Sequence, residues 1–236
     1  MRFYFSGGSC LVAVKRVTSL IAVGIIIATT VLVYDQLSTH RFLSLDDSVY
    51  VTGNPYVLSG ISRENISWAL TTFRGEFWHP VTWISYMIDT ELYGVRAGGY
   101  LFSNLILHII NTVLVFYLFQ LFFQREWEGV FIAALFALHP LHVEPVAWIS
   151  ERKELLAAFF WLTALLAYWF YAQLPTWKRY FPVVILFIVG FMAKSMIITL
   201  PFLLLVIDYW PLKRDLQLLG GGSNRLYCWW CLAREK

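Results

Sequence analysis

"YLFSNLILHIINTVLVFYLFQLFF", Tyr100 to Phe123, contains no Asp, Glu, Lys or Arg. A helix needs roughly 20 apolar residues to cross bilayer hydrocarbon, and this run is long enough. The rest of the chain agrees. Of its 236 residues 59% are hydrophobic and only 14% charged, with mean hydropathy +0.63. A soluble domain carries roughly 25% charge. The composition therefore predicts an all-α polytopic membrane protein. Working outward, further apolar runs are residues 17–34, 129–138 extending towards Ile149, 155–173, 180–193 and 196–210. With Tyr100–Phe123 that gives an expectation of about six spans. The first run follows Lys15 and Arg16, but no small-residue cleavage site follows it, so it reads as a retained span rather than a signal peptide.

Basic residues in short loops predict orientation. Lys15/Arg16, Arg125, Lys178/Arg179 and Lys213/Arg214 alternate in one phase. That phase puts residues 1–16 in the cytoplasm and residues 35–99, Leu138–Glu154 and Lys194 outside. The tail, 213–236, reads as loose or as unrelated sequence after a premature stop. The net charge of +3 is too small to point to nucleic acid. Cys10, Cys228 and Cys231 imply no disulfide framework, and Cys228-Trp-Trp-Cys231 without a second pair is a weak metal or redox signal.

The outer segment 35–99 carries helical signals. Ile66, Ala69, Leu70 and Phe73 recur at helical spacing behind Ser62, which suits an N-cap. Pro80 suits the first turn of a second helix running to Gly94. Trp68, Trp78 and Trp83 suit the headgroup layer. Inside the run that opened this section, Asn104, His108 and Asn111 share one face. They fit interhelical hydrogen bonding, or else the wall of a polar cavity. Asp208 reads as an interface anchor.

Two outer clusters could carry chemistry. Asp46 and Asp47 are adjacent carboxylates just beyond the first span. They read either as a solvated loop or as a general base with a neighbour that tunes it or holds a cation. The second cluster is "LHPLHVEPVAWISERKE", Leu138 to Glu154, with two histidines, three carboxylates, an arginine, a lysine and two prolines. His139, His142 and Glu144 have metal-ligand residue types, although the zinc-protease HExxH pattern is absent. Polar groups at membrane depth are costly unless they face a cavity or each other. Arg152 and Lys153 add positive charge that suits an anionic lipid phosphate.

"FLSLDDSVYVTGNPYV", "FWHPVTWISYMIDTELYG", "AGGYLFSNLILHIINTVLVF", "LHPLHVEPVAWISERKELLA" and "AKSMIITLPFLLLVIDYWPL" resemble, in this order, the N-terminal membrane half of the tetratricopeptide-repeat O-mannosyltransferases and their bacterial relatives. The resemblance covers about Phe42 to Leu212. It implies a GT-C-like fold and a lipid-linked sugar donor, polyprenyl or dolichyl phosphate. It implies an acceptor hydroxyl on a protein or glycan at the outer face, in the bacterial inner membrane or the endoplasmic reticulum. Carried onto these residues, Asp46 with Asp47 would supply the catalytic base and Glu144 would help form the site. A divalent cation on Glu144 and Asp47 is an option. His139, His142, Arg152, Lys153 and Lys194 would bind substrate, the basic groups neutralising the phosphate. Repeats of about 34 residues do not occur here, so the chain reads as part of a family member. Two rival readings remain open: a lipid-phosphate binding or transport protein without chemistry, and an inactive truncated piece.

Overall fold

The computed structural model describes residues 7–74 and 78–212, with side chains from residue 17 onward. Lys213/Arg214 and the tail lie outside the described residues, and Cys10, Lys15 and Arg16 lie where only the backbone is described. The architecture is all-α, with no strand among the described residues. Three helices are long and apolar enough to span: α1 (Gly7–Tyr34), α5 (Ala97–Phe123) and α8 (Arg152–Gln173). Helical backbone satisfies its own polar groups, which hydrocarbon cannot do. A fourth crossing would be a bent pair, α6 (Glu126–Leu138) followed by the stretch Pro140–Ala147, which contains α7 (Val143–Ala147), with a 53° bend between them. Pro140 causes the bend, since proline cannot donate to the preceding turn and its ring clashes with it. The last two expected spans are shorter apolar helices, α9 (Trp177–Phe191) and α10 (Leu200–Tyr209). By length and composition the count is thus three or four, against the six expected from hydropathy alone.

Between α1 and α5 the segment 35–96 folds into short helices, α2 (Pro55–Leu58), α3 (Arg63–Thr71) and α4 (Pro80–Tyr93). Their boundaries follow the sequence signals. Ser62 Oγ accepts from Asn65 N at 3.0 Å, satisfying a donor that the helix start leaves orphaned. Pro80 opens α4, and Gly94 ends it at φ +62°, a conformation that glycine adopts without a Cβ penalty. The expected headgroup role of Trp83 does not hold. It is fully buried, stacked on Tyr50 with ring centres 4.9 Å apart. Trp68 is half-buried against Tyr56 at 4.6 Å. Trp78 is half-buried and donates to Leu70 O at 2.8 Å. On α3 the inward residues are Asn65 and Ala69, whereas Leu70 and Phe73 remain exposed.

The core runs through α5. Its first half packs under the outer segment, with Tyr86, Met87, Tyr100, Leu101 and Ile149. Its second half meets α8, α9 and α10 through Leu118, Leu165, Val183 and Leu200. Its remaining face meets α1 and α6 through Val23, Phe116 and Ala133. At Gly190 on α9 an added Cβ would stand 2.8 Å from Phe160 Cβ, so glycine permits the close approach of α8. Asp208 accepts from Tyr168 Oη at 2.7 Å, joining α10 to α8.

Candidate functional site

The polar face of α5 acts mainly on the backbone around the α6–α7 bend. His108 Nε2 donates to Ala137 O at 3.0 Å, where α6 ends. Asn104 Nδ2 donates to Trp148 O at 3.2 Å, where α7 ends. Asn111 Nδ2 donates to Leu155 O at 2.9 Å on α8. A broken helix leaves carbonyls without partners, and burial makes that costly. Asn104 and His108 offset this cost, and together with the Asn111 bond to α8 they hold the Leu138–Glu154 stretch against α5. This is the packing reading of that face; the cavity-wall reading is not needed.

Arg152 goes inward. It is 1% exposed. Nε donates to Asn104 Oδ1 at 2.7 Å, Nη2 to Tyr100 O at 2.7 Å and Nη1 to Ser85 O at 3.2 Å. Its guanidinium also pairs with the buried Asp89 carboxylate on α4 and lies 4.8 Å over the Tyr86 ring. Asp89 in turn accepts from Ser103 Oγ at 2.7 Å. This differs from the sequence expectation that Arg152 meets a phosphate: its donors are engaged, and it joins α4, α5 and α8. Asp89, which sequence reading did not single out, is its counter-charge. An acidic residue on a helix with so many apolar neighbours was the available signal.

Asp47 is buried as well. Oδ1 accepts from Ser150 N at 3.1 Å and Ser150 Oγ at 2.9 Å, and Oδ2 accepts from Leu43 N at 2.8 Å. It therefore pins the first outer loop onto the turn that precedes α8. Asp46, its neighbour, stays exposed. Its charge acts on Lys153 and Tyr50. Lys153 Nζ lies 5.1 Å over the Tyr50 ring and pairs with Glu151 at 2.9 Å. Tyr50 continues into a stack with His79, 5.4 Å away, and His79 stacks on Trp83 at 5.0 Å. Burial, with Lys153 nearby, lowers the His79 pKa to about 4, so its ring is neutral at pH 7.

Beside this cluster is a cavity of about 310 Å³ lined by His142, Glu144, Glu151, Glu154, Phe136 and Leu155, among others. Lys194, on the turn after α9, pairs with Glu154 across 40 residues of sequence. Glu144 and His142 thus line one cavity, and Lys153 and Lys194 reach it through their pairs with its lining residues Glu151 and Glu154. Asp46 is not among the residues that line the cavity. His139 does not join them: it is exposed, and its Nδ1 accepts from Leu141 N at 3.2 Å as a local turn cap. Among the described residues no group of three or more His, Cys, Asp or Glu is placed to hold a metal ion. The expected Glu144–Asp47 cation set is therefore not assembled, since Asp47 spends its oxygens on backbone and Ser150. A larger concavity, about 830 Å³, lies at the α5–α6 turn around Gln124 and Trp127 and contains none of these residues.

The cavity is lined by three carboxylates, two of which pair with lysines, a set of groups suited to charge-assisted binding and proton transfer. The chain is 29% identical over 111 residues to Protein O-mannosyl-transferase TMTC3 of Homo sapiens, covering 42% of this chain and 12% of that protein. The chain is similar to protein O-mannosyl-transferases. It is 28% identical over 122 residues to Protein O-mannosyl-transferase Tmtc1 of Drosophila melanogaster, 52% of this chain and 14% of the relative. Against Protein O-mannosyl-transferase Tmtc2 of the same fly it is 33% identical over 93 residues, 39% of this chain and 10% of the relative. The matched regions thus span a small part of each relative's length. No family model matches the chain, and no solved structure matches it.

Proposed function

We propose that this chain forms the membrane part of a glycosyltransferase of the GT-C type. It would transfer a mannose-like sugar from a polyprenyl or dolichyl phosphate to a hydroxyl of a protein or glycan at the outer membrane face. The observation that carries the reading is the Asp47–Ser150 contact. It bridges 103 residues of sequence and holds the neighbouring, exposed Asp46 close enough to Lys153 for its charge to act there, while Glu151, the partner of Lys153, lines the cavity with Glu144. The names of the similar proteins support the same class of reaction.

In this mechanism the acceptor oxygen attacks the anomeric carbon from the side opposite the phosphate. Its proton passes to the Asp46 carboxylate. The bond from the anomeric carbon to the phosphate oxygen breaks with both electrons going to oxygen, and the sugar centre inverts. The leaving lipid phosphate thereby gains a negative charge, which Lys153 and Lys194 offset. Asp47 positions Asp46 rather than reacting.

Asp46→Asn keeps shape and removes basicity. It is expected to lower transfer from a lipid-linked mannose to an acceptor peptide by about 10²–10⁴-fold, with donor binding retained. The assay belongs in a chain that includes whatever adjoins these residues in the natural protein. Normal transfer by Asp46→Asn would remove Asp46 as the base. Absence of transfer by every form, with lipid-phosphate binding intact, would favour the carrier reading.

A further inference from the structure

Each of the two lysines at the cavity already has an anionic partner, and both partners line that same cavity. Lys153 pairs with Glu151 at 2.9 Å and Lys194 with Glu154. Lys153 and Glu154 come from the first turn of α8, Glu151 from the turn before it and Lys194 from the turn after α9. The side chains are partly accessible, 16% and 17% in the first pair and 27% and 35% in the second. The buried Arg152–Asp89 pair beside them is 1% and 4% exposed. A charge pair sealed in the core cannot change partners without unfolding its surroundings. A pair that keeps access to solvent beside a cavity can exchange partners without unfolding its surroundings.

We propose that the phosphate of a polyprenyl-linked ligand displaces Glu151 and Glu154 from Lys153 and Lys194, so that the empty site is neutralised by its own carboxylates. This rests on the glycosyltransferase reading and adds how its donor subsite is kept before the donor arrives. Lysines facing lipid headgroups without partners would hold any anionic lipid. Their local carboxylates make such occupancy compete with an existing pair. The exchange also has a consequence for the reaction. The displaced glutamates remain beside Glu144, so negative charge accumulates around the phosphate as it leaves, which promotes release of the product.

The experiment measures binding of a short polyprenyl monophosphate to the full chain in neutral phosphatidylcholine nanodiscs, with inorganic phosphate and phosphatidic acid as comparison ligands. Glu151→Gln and Glu154→Gln each remove a competing charge and keep shape. Each is expected to bind polyprenyl phosphate about 2- to 5-fold tighter, the fold-change that corresponds to losing one accessible ion pair. Phosphatidic acid binding is expected to rise in the same variants, and inorganic phosphate to bind far more weakly throughout. Equal or weaker polyprenyl phosphate binding by both variants would mean that the glutamates only hold the lysines in place, and the exchange would be wrong.

A second measurement needs no variant. Carbodiimide coupling joins Lys194 to Glu154 as an amide with loss of one water, read by mass spectrometry. Polyprenyl phosphate is expected to suppress that product, and an unchanged yield overturns the exchange. Should the unmodified chain bind no polyprenyl phosphate, or should binding survive Lys153→Gln with Lys194→Gln, the donor subsite itself is misplaced. That failure is separate from one in which the lysines are needed and the glutamates make no difference.

Discussion

Arg152 and Lys153 are neighbours in sequence with the same formal charge, and the fold puts them to opposite uses. Arg152 turns into the protein, where a carboxylate, an amide oxygen and two carbonyls surround its guanidinium. Lys153 keeps some access to solvent, and one carboxylate and one aromatic ring meet its ammonium. Asp47 and Asp46 repeat the division on the first outer loop, one buried and saturated, the other exposed. In each couple one member builds the site and the other is left to work in it. Guanidinium suits the buried task because its planar fork serves several acceptors at once, whereas the ammonium is a compact, mobile charge.

The comparison predicts separable effects. Arg152→Met leaves Asp89 buried without a counter-charge, at a cost of about 3–5 kcal/mol. The expected result is a large fall in thermal stability in detergent. Lys153→Met should cost clearly less stability than Arg152→Met, because its pair keeps some access to solvent and the Arg152 pair has almost none, while weakening lipid-phosphate binding. If the two variants melt alike, the division between hub and site is wrong. Replacing Arg152 and Asp89 together with apolar residues of similar volume should recover most of the loss.

The aspartate couple gives a smaller contrast. Asp47→Asn swaps an acceptor oxygen for an amide donor facing N–H groups, with an expected cost of about 1–3 kcal/mol. Asp46→Asn should leave the melting temperature unchanged. Hydrogen exchange at Leu43 and Ser150 sharpens the test: both amides should lose protection in the first variant and keep it in the second.

The smallest effect concerns His79. Its pKa in the fold, about 4, lies below its ordinary 6.5. The unfolded chain therefore binds the extra proton first as pH falls. The stability that neutral His79 contributes is complete above about pH 6.5 and is lost progressively down to about pH 4. Between pH 6.5 and 5 the loss should be of order 1 kcal/mol. His79→Phe keeps a ring against both Tyr50 and Trp83 and should flatten that part of the profile. An unchanged slope would show that His79 is not the source of that acid sensitivity.

Much of the architecture was legible in the residues themselves. The membrane class followed from composition, and α1, α5 and α8 from runs of apolar residues whose backbone can be satisfied only within a helix. Ser62, Pro80 and Gly94 announced the ends of α3 and α4, because caps act over three or four residues. The two outer clusters were visible as polar groups too dense for lipid. Span number was less legible, since proline and short apolar helices blur a length criterion. What only the tertiary structure decided was the division of labour among the charges. Arg152 finds Asn104 from 48 residues away, Asp47 finds Ser150 from 103, and Lys194 finds Glu154 from 40. A charge's role is set by whether its surroundings leave it open to solvent and ligand. Those surroundings come from distant parts of the chain, whereas helix formation and capping depend on neighbours within a turn.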